Sequence, residues 1–286
     1  MLNERIIDAV VSTTWLQDNL DADDLVVLDI RGEDVYQEGH IPGAVNVPAG
    51  EFWDDGELAM MVPEENNLFN LIGNAGITSD SKVVIVGGVP GLGEPPYPLA
   101  QATRVASTLI YACIVDVGIL DGGFPKWVGE ERSTTIDATK VDGVTYEGEI
   151  VAGMFIEREY VEEALMRSDS VIVDNRDADV YFGVTIEPFA EKAGHIPTAK
   201  SLPAPWMWDE DWSYFDTKIL SGMASGVIEE NDSAPGEIIV YCGVGGYASS
   251  WWYVLTQMLG YENVRIYAGA AQEWVLYNDM VPFRWE

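Results

Sequence analysis

Apolar and polar positions along the chain fall into two rhythms. Short β-branched runs occur at Leu25-Val-Val-Leu-Asp-Ile-Arg31, Lys82-Val-Val-Ile-Val86, Ser170-Val-Ile-Val-Asp-Asn-Arg176 and Glu237-Ile-Ile-Val-Tyr-Cys242. Such runs, stopped by turn residues, read as strands buried on both faces. Between them lie segments with helical spacing. Ser12–Leu20 places hydroxyls ahead of an apolar face and predicts a short capped helix. Residues 100–117 alternate small and apolar types and predict a longer one, with Cys113 in its apolar stretch. Strands alternating with helices predict an α/β protein with a mainly parallel sheet flanked by helices on both faces.

The pattern occurs twice. Asp29-x-Arg31 returns as Asp174-x-Arg176, and Gly39-His-Ile-Pro-Gly-Ala44 returns as Gly194-His-Ile-Pro-Thr-Ala199. The run ending at Gly87 returns as the run ending at Cys242, and Gly122-Gly-Phe-Pro-Lys-Trp127 returns loosely as Ala268–Trp274. The distance from Gly39 to Gly87 is 48 positions, and that from Gly194 to Cys242 is also 48. Two matched motifs at one separation indicate a tandem duplication. The stretch Gly129–Gly148 is polar, weakly patterned and rich in Thr and Gly, as linkers are. The boundary is placed near residue 140, giving domains 1–140 and 141–286.

Composition changes the picture in two ways. A chain of 286 residues, 48% hydrophobic, is long enough for two packed cores. Its 48 acidic residues against 15 basic ones give a formal charge of −33. In dilute buffer that charge loosens a compact state, whereas at molar salt the Debye length shrinks to about 3 Å and screens it. The acids are spread along the chain, so the composition is similar to that of haloarchaeal proteins and predicts a salt-rich cytoplasm. The same charge argues against nucleic acid and anionic membrane as partners. The N-terminal residues do not read as a signal peptide, and no apolar run is long enough to span a bilayer. Two cysteines make no disulfide framework. Two isolated histidines, His40 and His195, make no metal site, and no cofactor motif is evident.

The candidate chemistry lies at Cys242. A buried strand stops at this thiol, and Gly243-Val244-Gly245-Gly246-Tyr247-Ala248 leads into a helical segment reaching Leu259. The backbone N–H groups of such a turn, and the positive end of the following helix, favour a thiolate, which is the reactive form. Glycines 243, 245 and 246 permit turn conformations that aim those N–H groups inward. They are then placed to hold an anionic terminal sulfur as an oxyanion hole holds oxygen.

With these motifs in place, the chain resembles tandem-domain rhodanese-like sulfurtransferases, the group of thiosulfate and 3-mercaptopyruvate sulfurtransferases. The resemblance rests on both Asp-x-Arg pairs, both Gly-His-Ile-Pro turns and the Cys242 loop, and it covers nearly the whole chain. It implies two tandem rhodanese-like domains. It also implies that Cys242 takes a sulfane sulfur from a small anionic donor, becomes a persulfide, and passes the sulfur to a thiol, cyanide or a thioredoxin-like protein. The backbone of residues 243–248 would bind the persulfide. The first copy carries Gly87 at the matching position, and its loop, longer by eight positions before the closing tryptophan, holds three prolines near its end. That copy would be an inactive scaffold forming one wall of a cleft.

The family pattern is broken at the donor site. A basic residue four positions after the Asp-x-Arg arginine is replaced by Val180, and the basic residue or serine two positions after the nucleophile by Val244. Arg176, Lys192, Arg31 and Arg104 are the substitute anion-binding candidates. Trp206, Trp208, Trp212, Tyr247, Trp251 and Trp252 suggest an aromatic mouth or core packing. An apolar wall would suit a larger organic persulfide or a protein donor. Two other readings stand beside the sulfurtransferase. A cysteine phosphatase needs an arginine six positions after the cysteine, where this chain has Ala248. A non-catalytic sulfur-carrier or binding module would show the same missing basic residues.

Overall fold

The computed structural model describes residues 5–229 and 235–286. They fall into two compact units. One takes Met1–Asp54, Val62–Val151 and Asp209–Tyr214; the other takes Asp55–Met61, Ala152–Trp208 and Phe215–Glu286.

The first unit runs β1 (Val10–Val11), α1 (Thr13–Asn19), β2 (Leu25–Asp29), α2 (Glu33–Glu38), β3 (Val45–Asn46), α3 (Glu65–Asn74), β4 (Lys82–Val86), α4 (Tyr97–Tyr111), β5 (Val117–Leu120) and α5 (Gly123–Gly129). The sheet order is β1-β5-β4-β2-β3, and every pairing is parallel. As the hydroxyls predict, Ser12 caps α1, its Oγ accepting from the Trp15 N–H at 3.1 Å. The β-branched runs became strands because both sheet faces are covered: Val83, Val84, Ile85 and Val86 are all fully buried. Val84 and Val86 join Leu16, Val27, Ile41 and Trp127 in one core. Cys113 departs from the expectation. α4 ends at Tyr111, and Cys113 sits just beyond it at φ +64°, half-buried rather than in the helical core.

The second unit repeats the plan with β6 (Phe155–Ile156), α6 (Arg158–Ala164), β7 (Ser170–Asp174), α7 (Ala178–Phe182), β8 (Lys200–Ser201), α8 (Thr217–Ile228), β9 (Glu237–Tyr241), α9 (Gly246–Tyr253), β10 (Val264–Tyr267) and α10 (Ala270–Tyr277). Its order is β6-β10-β9-β7-β8, again all parallel. The duplication read from the motifs is thus a duplication of topology. Each unit is a five-stranded parallel sheet flanked by helices. Ile172, Ile196, Ile239, Tyr241 and Trp274 share the core of the second unit.

Strand register places the Asp-x-Arg motifs. Asp174 lies opposite Tyr241 across β7 and β9, as Asp29 lies opposite Val86 across β2 and β4. Each Asp-x-Arg therefore emerges at the same sheet edge as the residue ending the neighbouring strand. In the second unit the chain leaves β9 and β7 toward opposite sides of the sheet. That topological switch point, at the carboxyl ends of parallel strands, is where open α/β sheets present their binding crevice.

Candidate functional site

Cys242 follows β9 directly and stands at this switch point. Its side chain is buried, with the residue only 3% exposed. Three features shape the turn that leaves it. Gly245, at φ +116°, occupies backbone space that a side chain resists, and its N–H donates to the Cys242 Sγ at 3.0 Å. The Ser249 N–H and Oγ both return to the Gly245 carbonyl, at 3.1 and 2.9 Å, so α9 clamps the turn. From the opposite side, the Ala271 and Gln272 N–H groups hold the Cys242 and Gly243 carbonyls at 2.9 and 3.1 Å. With its carbonyls tied back to the start of α10, the loop turns N–H groups toward the sulfur.

The electrostatics of the thiol are less one-sided than the loop sequence predicts. Burial pushes the Cys242 thiol above its ordinary value. The N–H groups of Ala248, Gly245 and Val244 pull it down, while the charge of Glu187 raises it further. The helical turn alone does not produce a standing thiolate. The cradle is suited instead to an anion that forms on the sulfur during reaction, where fixed N–H dipoles cost no reorganisation.

The surrounding frame is built on one buried ion pair. Asp174 accepts from Arg176 Nε at 3.0 Å and Nη2 at 2.6 Å, and from the Tyr241 hydroxyl at 2.6 Å. Arg176 Nη2 also donates to the Gly194 carbonyl at 2.7 Å, and the Ile196 N–H donates to the Tyr241 oxygen at 2.9 Å. These bonds tie β7, β9 and the Gly-His-Ile-Pro turn together. Burial opposes the charged guanidinium, but Asp174, with Tyr241 and Glu187, more than compensates and raises its pKa. Only Nη1 of Arg176 looks away from Asp174, and it faces Glu187 Oε2 at 3.5 Å. Within the turn, His195 stacks on Tyr181 with ring centroids 3.8 Å apart, and its Nδ1 lies 2.9 Å from the Tyr181 carbonyl.

The remaining sequence candidates scatter. Lys192 donates to the Asn278 carbonyl at 2.8 Å and pairs with Asp279. Arg31 pairs with Asp29 and stacks on Phe124, and Arg104 is buried in α4 of the first unit. Val180 is buried in α7 and Val244 half-buried in the loop. The aromatic mouth is largely core packing: Trp208, Trp251 and Trp252 are buried, and the latter two bond the Pro203 and Val264 carbonyls. Trp206 alone of the large candidates is widely exposed, at 53%. Among the described residues, no cluster of three or more His, Cys, Asp or Glu side chains is placed to hold a metal ion.

Three residues at the site carried no motif. Gln272 brackets the Ala59 main chain, its Nε2 donating to the carbonyl at 2.9 Å and its Oε1 accepting the N–H at 3.0 Å, all within the second unit. Phe189 and Glu187 lie over Gly243 so closely that a methyl group there would meet Phe189 Cε2 at 2.3 Å and Glu187 Oε1 at 3.0 Å. In sequence, Thr185-Ile-Glu-Pro-Phe189 reads as an ordinary connection, and no periodicity marks it.

The model of the rhodanese-like domain matches twice, over residues 12–130 and 157–277. The chain belongs to the rhodanese-like domain family. A Saccharopolyspora erythraea protein named "putative thiosulfate sulfurtransferase" is 28% identical over 282 residues, covering 96% of this chain and 94% of the relative. The Thermus thermophilus "sulfur carrier protein TtuD" is 29% identical, covering 93% of each chain. The solved structure of an anaerobic ergothioneine biosynthesis enzyme from Chlorobium limicola superposes with a TM-score of 0.83 at 21% identity. It covers 96% of this chain and 71% of that one, a likeness of fold. No helix among the described residues is long and apolar enough to cross a membrane.

Proposed function

We propose that this protein is a sulfurtransferase in which Cys242 carries a sulfane sulfur as a persulfide. The observation that carries the reading is the placement of the Cys242 Sγ at the switch point, with the Gly245 N–H on it at 3.0 Å. Family membership and the relatives' names support sulfur transfer. In the first half-reaction the Cys242 thiolate attacks the transferable sulfur of the donor, the outer one of thiosulfate or a persulfide and the thiol sulfur of 3-mercaptopyruvate. The Sγ–S bond forms, the donor's bond to that sulfur breaks, and its electron pair leaves with the donor remnant. The N–H groups of residues 243–248 hold the sulfur, Arg176 supports the site through Nη1, and no cofactor takes part.

The donor is a small anionic sulfur compound, thiosulfate with its sulfane sulfur or 3-mercaptopyruvate with its thiol sulfur, or a related organic persulfide, which Val180 and Val244 favour. The acceptor is a thiol, cyanide or a thioredoxin-like protein, and the working medium is a salt-rich cytoplasm. Exposure to each donor in molar KCl, followed by intact mass, tests this. A gain of about 32 Da on Cys242, one sulfur held covalently, is expected with Cys113→Ser and not with Cys242→Ser. Mass gain or full turnover in Cys242→Ser overturns it.

A second reading, a sulfur carrier without turnover of its own, is favoured by the TtuD likeness. It predicts a persulfide that forms on Cys242 but that cyanide and small thiols do not discharge.

A further inference from the structure

We propose that Glu187 is the general base that takes the proton of the thiol acceptor discharging Cys242. This role rests on the persulfide reading above and falls to a residue that no motif marks. Glu187 lies between α7 and the Gly194 turn, and its two oxygens face different neighbours. Oε1 lies against Gly243, the residue next to the nucleophile, 3.0 Å from where a methyl group on that glycine would stand. Oε2 faces Arg176 Nη1 across 3.5 Å. That contact is loose, whereas Asp174 holds the same guanidinium through Nε and Nη2, the latter at 2.6 Å. Glu187 thus faces the one Arg176 nitrogen that Asp174 leaves over, at the long end of hydrogen-bond distance. Its side chain keeps 19% of its surface exposed, so a proton taken there can pass on to water.

The groups facing this carboxyl are Arg176 and Asp174 at the end of β7, Asp177 at the start of α7, and Cys242 at the end of β9. Burial raises the carboxyl to about 7. Arg176 opposes the rise, and Asp174 and Asp177 add to it. A base that exchanges its proton near neutral pH is matched to a thiol acceptor.

The Glu187 carboxylate takes the proton of R–SH. The outer sulfur of the Cys242 persulfide takes a proton from water, and the resulting R–S⁻ attacks that sulfur of Cys242–S–SH, forming the new S–S bond of R–S–SH. The Sγ–S bond breaks, and its electron pair stays on the Cys242 Sγ beneath the Gly245 N–H. R–S–SH leaves, and Glu187 releases its proton to water. The sulfane sulfur changes carrier, and no outside oxidant or reductant is consumed.

The test loads the protein with persulfide, verifies it by intact mass, and follows single-turnover discharge by an alkyl thiol and by an aromatic thiol already ionised at neutral pH. In the unmodified protein, the alkyl rate should rise along a protein-borne limb near pH 7 that the aromatic rate lacks. Glu187→Gln should lower the ratio of alkyl to aromatic rates by about a hundredfold or more, the low end of general-base contributions, and erase that limb. Glu187→Asp should restore part of both. Equal losses for the two thiols, or a limb near pH 7 shared by both in the unmodified protein, overturn the role of Glu187. Failure of the unmodified protein to load on Cys242 instead overturns the persulfide reading and this role with it.

Discussion

Arg176 Nη2 stands 2.6 Å from Asp174 Oδ2 with both side chains closed off from water, and Arg31 and Asp29 reproduce the pair at 2.6 Å in the first unit. Removing one partner of a buried pair strands the other charge, which costs about 3–5 kcal/mol. Arg176→Met should therefore lower stability by that amount and release the Gly194 turn. Arg31→Met should cost less, because Arg31 is 8% exposed against 1% for Arg176. Thermal melting in molar KCl measures both; equal small losses would show that the pairs do not hold their sheet edges.

Glu187 makes a prediction on stability that is separate from its role in transfer. Its carboxyl ionises near 4.5 in the unfolded chain and near 7 in the folded one. Between those values the unfolded chain binds fewer protons, so stability falls as pH rises and the loss is complete above about 7. The gap corresponds to on the order of 3–4 kcal/mol. Glu187→Gln has no charge to bury, so its melting temperature should exceed that of the unmodified protein at pH 8, and the two should converge toward pH 4.5. A parent protein equal or superior at pH 8 contradicts this.

The salt-adapted reading of the −33 charge is testable in the same way. Repulsion among spread acids is screened as the Debye length falls. Melting temperature should rise steeply between about 0.1 and 1 M KCl, over which the screening length falls from roughly 10 to 3 Å. A flat profile counts against it.

The strands and their repeat were legible because burial on both faces demands unbroken β-branched runs, as Val83–Val86 and Ile238–Tyr241 show. The placement of Cys242 was legible because a thiol at a strand end ahead of glycines is a local pattern. Its ionisation was not, because burial and the charge of Glu187 arise from residues 55 positions away in sequence. Trp251 and Trp252 stood open between mouth and core for a related reason. An aromatic near a loop in sequence says nothing of which way its helix faces, and α9 turns both into the core.

Gly243 and Gly88 hold the same place in the two copies but differ in surroundings. A Cβ on Gly243 would overlap Phe189, whereas one on Gly88 meets nothing within 4 Å. The Phe189 ring is 39% exposed and can give way, so Gly243→Ala should cost only about 1 kcal/mol of stability, the low end for overpacking. It should nonetheless slow persulfide loading, because Phe189 and Glu187 are displaced from the thiol. Gly88→Ala should change neither. Loading unchanged in Gly243→Ala would separate the Phe189–Glu187 cover from the chemistry.

The first unit offers the converse experiment. Gly87 occupies the place of Cys242, and a Cβ there meets only ordinary contacts: Ala102 Cβ and the Pro98 carbonyl at 3.7 Å, and Ile30 Cδ1 at 3.9 Å. Gly87→Cys should thus fold without loss of stability. The thiol it adds would still lack its cradle. In the second unit one of the N–H groups on the sulfur, at 3.0 Å, comes from three positions on, at Gly245. Three positions after Gly87 stands Pro90, which has no N–H to give. Gly87→Cys placed in a Cys242→Ser background should therefore accept an alkylating reagent at neutral or higher pH, yet gain no sulfur from a donor that loads the parent protein. Alkylation and intact mass read the two outcomes. A persulfide on residue 87 would show that the strand-end position suffices and that the backbone cradle is dispensable.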